Sequence, residues 1–139
     1  MTSTSRGEFS NAEHLHVLGA TVSITADSDA TDGEYMVADL LVPPLFQNGL
    51  HTHEQSEVFH VIDGEMRLHV DGEDQLLGPG TSGHVSGSEP HGFENAGDSP
   101  CRVVIVMTPG GAEAFFREVG QPADDRSLPE PVEPTEEML

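Results

Sequence analysis

Alternation of apolar and polar residues with period two is what most constrains this chain. Short runs of it recur along most of the length: HLHVL (14–18), TVSIT (21–25), EYMVADLLV (34–42), SEVFHVI (56–62), EMRLHV (65–70), HGFEN (91–95) and CRVVIVM (101–107). Successive side chains of an extended strand point to opposite faces, so each run offers one face to a core and one to water. Asp32-Gly33, Asn48-Gly49, Asp63-Gly64, Asp71-Gly72 and Ala96-Gly97-Asp98 punctuate the runs as turns. Asp63-Gly64 suits a two-residue hairpin, because glycine tolerates the positive φ that such turns need. Many short strands with regular turns predict an all-β barrel or sandwich. One short C-terminal helix is expected over 111–119 (GAEAFFREV), with Ala112, Phe115, Phe116 and Val119 toward one side. The 139 residues suit one domain, and no internal repeat is present. The expected organisation is a flexible N-terminal segment at 1–13, a folded domain at 14–119 and an acidic, proline-rich tail at 120–139. That tail, with Pro122, Pro129, Pro131 and Pro134 among its acids, reads as extended or disordered.

Charge narrows the partners. Twenty-five Asp and Glu face five Arg and no Lys, a formal charge of −20. Such a surface repels nucleic acid and anionic membranes. The composition resembles that of cytosolic proteins from salt-accumulating halophiles, where molar cation shortens the Debye length to about 3 Å and screens self-repulsion. An ordinary acidic protein with an acidic tail is the plainer alternative. With no run of eighteen apolar residues and no apolar stretch near the start, a cytoplasmic protein is expected. The single cysteine, Cys101, opens CRVVIVM and reads as a small buried strand residue.

His51, His53 and Glu57 share odd parity. On an extended stretch all three project from one face, where two imidazoles and a carboxylate can bind one cation. Nitrogen and oxygen ligands of this kind suit Fe, Mn, Co, Ni or Zn without selecting one. His91 follows the turn Gly87-Ser88-Glu89-Pro90 and is the natural fourth ligand. In a chain with eight histidines, an HxH alone would more often be an unrelated pair of surface residues.

The wider spacing is more specific. The run from His51 to Gly64 resembles the first cupin motif: HxH, three residues, Glu, six residues, Gly. The run from Gly80 through His91 to Asn95 resembles the second. The resemblance covers roughly 34–119, and the ending TPGGAEAFFREVG is similar to the close of small single-domain cupins related to quercetin dioxygenases. Two departures stand out. Leu45 occupies the place of a usual glycine, and Ser86 and Ser88 those of a usual proline and glycine. The resemblance implies a double-stranded β-helix, or jelly-roll barrel, with one divalent metal ion held by His51, His53, Glu57 and His91. It also implies that Glu57 can act as a catalytic base. A metal-dependent dioxygenase acting on a small enolisable or aromatic compound is the leading expectation. A non-oxidative cupin enzyme (isomerase, lyase or polyketide cyclase) and a metal-dependent binding or sensor domain are the alternatives. A homodimer is expected, with HLHVL and TVSIT as candidates to cover a sheet edge.

Other residues carry lesser readings. Phe59, Phe93, Met36 and Leu40 are core residues or pocket lining. Asn95 reads as a turn-stabilising hydrogen-bonder. His60 is expected on the outer face, and His84 either there or in the cavity. His14, His16 and His69 read as solvated or partly buried strand residues, and Arg67 and Arg102 as partners of nearby acids.

Overall fold

The structure is a computed structural model and describes residues 12–130. Its elements run β1 (Glu13–Val17), β2 (Ala20–Ala26), α1 (Ser28–Thr31), β3 (Met36–Val42), β4 (Ser56–Asp63), β5 (Met66–Val70), β6 (Glu73–Leu77), β7 (Ser82–Val85), β8 (His91–Asn95), β9 (Cys101–Thr108), α2 (Glu113–Val119) and β10 (Gln121–Ala123). The larger sheet has the order β10-β1-β2-β3-β9-β4-β7, and the smaller β6-β5-β8. Each strand pairing is antiparallel. The result is the expected all-β jelly roll. Residues at alternate positions, such as Met36, Phe59, Val61, Leu68 and Ile105, are almost wholly buried in one core between the sheets. Among the described residues, no helix is long and apolar enough to cross a membrane.

Hairpins form where two successive residues take positive φ. Leu18-Gly19 (54° and 90°) joins β1 to β2, and Asp71-Gly72 (49° and 79°) joins β5 to β6. Asp63-Gly64 is not a hairpin. It carries the chain from β4 in the large sheet to β5 in the small one. Gly64 is required there by space as well as by its φ of 84°, since a Cβ would lie 2.8 Å from Cys101 Cα. Strand β6 has no alternation because it is an edge strand, exposed from Glu73 to Leu76. Cys101 is buried as expected, and burial first, then the nearby Asp63 carboxylate, pushes its thiol up to about 11.

The C-terminal region differs more. Helix α2 buries Glu113, which accepts hydrogen bonds from Ser28 N (2.8 Å) and Ser28 Oγ (2.7 Å). Ala112 and Phe116 pack on the core, but Phe115 and Val119 are exposed, contrary to the expected apolar side. The buried side is the one turned toward Ser28, and a buried carboxylate needs such a donor. The tail does not leave the barrel at 120. β10 pairs with β1 (Leu15 opposite Pro122), the edge position where a residue lacking an N–H is tolerated. Beyond it, Ser127 O accepts a hydrogen bond from Thr21 Oγ1 (2.7 Å), and Arg126 Nη1 donates to Asp39 Oδ2 (2.7 Å). Residues 1–11 of the segment expected to be flexible, and 131–139 of the tail, lie outside the described residues.

Candidate metal centre

The ligand segment is not one strand. His51 forms a single antiparallel bridge with His91, the first residue of β8, through His51 N to His91 O (2.9 Å) and His91 N to His51 O (3.0 Å). The chain then bends at Glu54-Gln55 and enters β4, where Glu57 points into the core. His51 and His91 therefore belong to the small-sheet side and Glu57 to the facing large sheet. Parity on a single strand face is not what gathers His51, His53 and Glu57; their convergence comes from the bend between two sheets.

The potential ligand atoms of His51, His53 and His91 lie within 4.8 Å of one another. The three rings run from exposed (His51) through half-buried (His53) to buried (His91). This triad is able to hold a metal ion. Glu57, 7% exposed, stands beside it, its Oε1 3.1 Å from His53 Nε2 and 3.5 Å from His91 Nε2.

Backbone carbonyls set the chemistry of the rings. His51 Nδ1 lies 2.9 Å from Gly49 O, His53 Nδ1 2.9 Å from Gln55 O, and His91 Nδ1 2.9 Å from Glu89 O. A carbonyl only accepts, so each Nδ1 carries a proton and donates it. Each Nε2 of a neutral ring then presents a lone pair, the arrangement that metal-binding histidines use. His91 Nε2 is buried without a hydrogen-bond partner. Lone pairs and an anionic carboxylate meeting in a buried place require a cation between them. Without metal, the hydrogen bond to Glu57 raises the His53 pKa and so favours a proton there. Burial is the largest influence on Glu57 and pushes its carboxyl up, but the hydrogen bond from His53 and the neighbouring His53 and His91 imidazoles together outweigh it and hold the carboxyl below its ordinary value. A divalent ion meets the same need with more charge, so the donor set fits a metal.

The two motifs hold each other in place. The turn at 86–89 locks onto the loop before β4: Ser88 N donates to His53 O (2.7 Å) and Gly87 N to Ser56 Oγ (3.1 Å). A Cβ on Gly87 would meet Glu54 O at 2.4 Å. Asn48, read from sequence only as a turn residue, accepts the Phe93 N–H through its side chain (2.7 Å) and donates its own N–H to Phe93 O (3.0 Å). Both motif departures keep the backbone of a glycine: Leu45 has φ 69° and Ser88 φ 66°. Each is the third residue of a turn closed by a backbone hydrogen bond, Phe46 N to Pro43 O and Glu89 N to Ser86 O.

A cavity of about 690 Å³ opens over the triad. Leu40, Phe59 and Phe93 line it, as do Phe46 and Phe116, and among the described residues Glu57 is the only acidic one lining it, with no Lys or Arg. Met36 is fully buried and is not among the lining residues. Phe46 stacks on Phe93 at 5.5 Å between centroids, and Phe59 lies 5.8 Å from Phe93. His84 is exposed on the outer face of the large sheet, and His60 bonds Ser82 Oγ there. Asn95 braces a turn, donating to Val42 O and Ser99 O and accepting from Gly97 N. His14 bonds Ser23, His16 lies by Ser127 O, and His69 bridges Asp74 and Glu94. Arg102 pairs with Asp39 and Arg67 with Glu94.

The pattern that defines the cupin domain matches residues 40–107. The chain is 31% identical over 107 residues to the quercetin 2,3-dioxygenase of Bacillus subtilis (strain 168), covering 76% of this chain and 32% of that protein. The chain belongs to the cupin superfamily. This cupin spans about a third of the length of the curated relatives it matches. Solved structures share its fold. An RmlC-like cupin from Shewanella frigidimarina NCIMB 400 is 21% identical, with TM-score 0.63, covering 83% of this chain and 96% of that one. The polyketide cyclase RemF from Streptomyces resistomycificus is 24% identical, with TM-score 0.61, covering 78% and 79%.

Proposed function

We propose that this cupin is a metal-dependent oxygenase of the quercetinase type, acting on a small enolisable or aromatic compound. Its metal, one divalent ion (Fe, Mn, Co, Ni or Zn), is held by His51, His53 and His91, with Glu57 as fourth ligand, base or both. The observation that carries the reading is the trio of Nδ1–H bonds to backbone carbonyls, which aims three Nε2 lone pairs at one place beside a buried carboxylate. A bound divalent metal supplies Lewis acidity and a template for substrate and O₂. The chain's own residues do the rest. Phe46, Phe59 and Phe93 give an aromatic wall to a flat apolar molecule. Among the described residues no Lys or Arg lines the cavity, which disfavours phosphate or carboxylate substrates, since these need such a clamp. Glu57 Oε1, 3.1 Å from His53 Nε2 at the edge of the triad, accepts the proton of a substrate hydroxyl. The relationship to quercetin 2,3-dioxygenase supports this chemistry. Composition supports a cytoplasmic, salt-rich setting.

O₂ uptake tests the proposal, with protein reconstituted separately with Fe(II), Mn(II), Co(II) and Ni(II) and offered flavonols, β-diketones and catechols in molar KCl. Uptake with at least one metal is expected, and Glu57→Gln should abolish it more completely than it abolishes metal binding. Anaerobic turnover would replace the oxygenase with an isomerase, lyase or cyclase. Micromolar binding without turnover by any metal would replace it with a sensor or binding domain.

A further inference from the structure

The cavity over the triad does not end in a charged rim. Leu18 (79% exposed), Leu50 (71%) and Phe115 (57%) all line it, and all are wet. They come from separate parts of the chain. The strands expected to cover a sheet edge, β1 and β2, instead lie inside the large sheet with β10 beyond them, and Leu18 is in the turn that joins them. Leu50 immediately precedes the ligand His51, and Phe115 is on α2. In a chain with 25 acidic residues, exposed apolar side chains gathered at one cavity are the exception, and such a gathering marks a place where something binds.

Leu18 is also costly where it stands. Leu18-Gly19 takes φ 54° and 90°, a turn for which Asn-Gly is the favoured pair. Backbone strain alone marks no site, because Leu45 shares it without lining the cavity. What sets Leu18 apart is its place at the cavity. Phe115 is held in position there. Its ring lies edge-on to that of Phe116, with centroids 5.8 Å apart, and Phe116 packs on the core and lines the cavity too. Helix α2 is itself pinned, through Glu113 to Ser28 and through Arg117 to Glu13 and Asp27. Aromatic lining therefore runs from the buried Phe59 and Phe93 to the exposed Phe115. A cavity of about 690 Å³ is of the size that encloses a drug-sized molecule. A ligand that ends inside it leaves Leu18, Leu50 and Phe115 in water, and one that reaches the mouth dries them.

We propose that Leu18, Leu50 and Phe115 are specificity-determining residues that grip an apolar arm of the substrate where it leaves the cavity, on the reading that the substrate's head binds at the metal. The substrate class is then an enolisable or phenolic head carrying an uncharged chain or ring system long enough to reach the mouth. Titration of cobalt-loaded protein under nitrogen in molar KCl, with methylcatechol and with octylcatechol, reads the arm separately from turnover. An arm that covers half of two such side chains gains about tenfold or more, so octylcatechol should bind the wild type tighter by at least that factor. Leu18→Asn, which gives the turn its favoured pair, and Phe115→Gln should each cut the octyl-to-methyl affinity ratio about threefold or more, with metal content unchanged. Leu76→Ser, at an exposed leucine of β6 outside the cavity, should leave the ratio at its wild-type value. Equal affinities for the two catechols, or no binding of either, would overturn the proposal. So would a wild-type ratio in the double variant Leu18→Asn/Phe115→Gln. O₂ uptake in air separates the arm from the oxygenase reading. Chain-dependent affinity without uptake fails only the oxygenase, and uptake with equal affinities fails only the arm.

Discussion

At the scale of single residues, the centre depends on atoms that a sequence does not display. His51, His53, Glu57 and His91 were legible from spacing, because the family pattern fixes which residue types recur. The carbonyls of Gly49, Gln55 and Glu89, which set the tautomer of each imidazole, were not legible, since every residue has one. Leu45 shows the converse. The sequence marks it as a departure from glycine, and the structure shows that the glycine conformation persists at φ 69°. An L-residue there costs roughly 1–2 kcal/mol, and Leu45, 92% exposed, recovers nothing by burial. Leu45→Gly should therefore raise stability by about 0.5–1 kcal/mol net of the entropy that glycine adds to the unfolded chain. A thermal melt should rise by a few degrees, with metal content unchanged. A lower melting temperature would show that Leu45 makes a contact worth more than its strain.

At the scale of elements, alternation found the strands with one wet and one dry face and missed those without. β6 is polar along most of its length, and β10 is three residues with a proline in the middle. Asp63-Gly64 and Asp71-Gly72 look alike in sequence. They differ because Val70 and Glu73 are paired partners, whereas β4 and β5 belong to different sheets. The face of α2 was misjudged because the donor for Glu113 lies 85 residues away in sequence, at Ser28. The bridge between the ligand segment and β8 yields a sharper expectation. A Cβ at Gly92 would lie 2.9 Å from Asn48 O and 3.1 Å from Gly49 O, both backbone atoms that cannot swing aside. Gly92→Ala should push the 48–51 segment off β8, at a cost of about 1–3 kcal/mol. His51 moves with that segment, so metal affinity should fall by at least tenfold in a competitive chelator titration. Wild-type affinity in Gly92→Ala would mean that His51 does not depend on this bridge.

At the scale of the whole molecule, net charge was legible and its distribution was not. Each of the four described arginines is engaged with an acid: Arg67 with Glu94, Arg102 and Arg126 with Asp39, and Arg117 with Glu13 and Asp27. That leaves most carboxylates without a cationic partner, so solvent cations must screen them. The melting temperature should climb through a KCl series from millimolar to multimolar, beyond the range in which ordinary surface pairs are screened. A flat or falling series would refute the halophile reading without touching the metal site. The jelly roll itself was legible because its period-two pattern and turn chemistry agree along the chain. The central claim is narrower: three imidazoles and a carboxylate, brought together by a bend between two sheets, hold one divalent ion. Elemental analysis of protein purified without chelator tests it most directly. The account predicts close to one metal per chain, largely lost in His53→Ala and in His91→Ala. Full occupancy in the double variant His51→Ala/His53→Ala would contradict it.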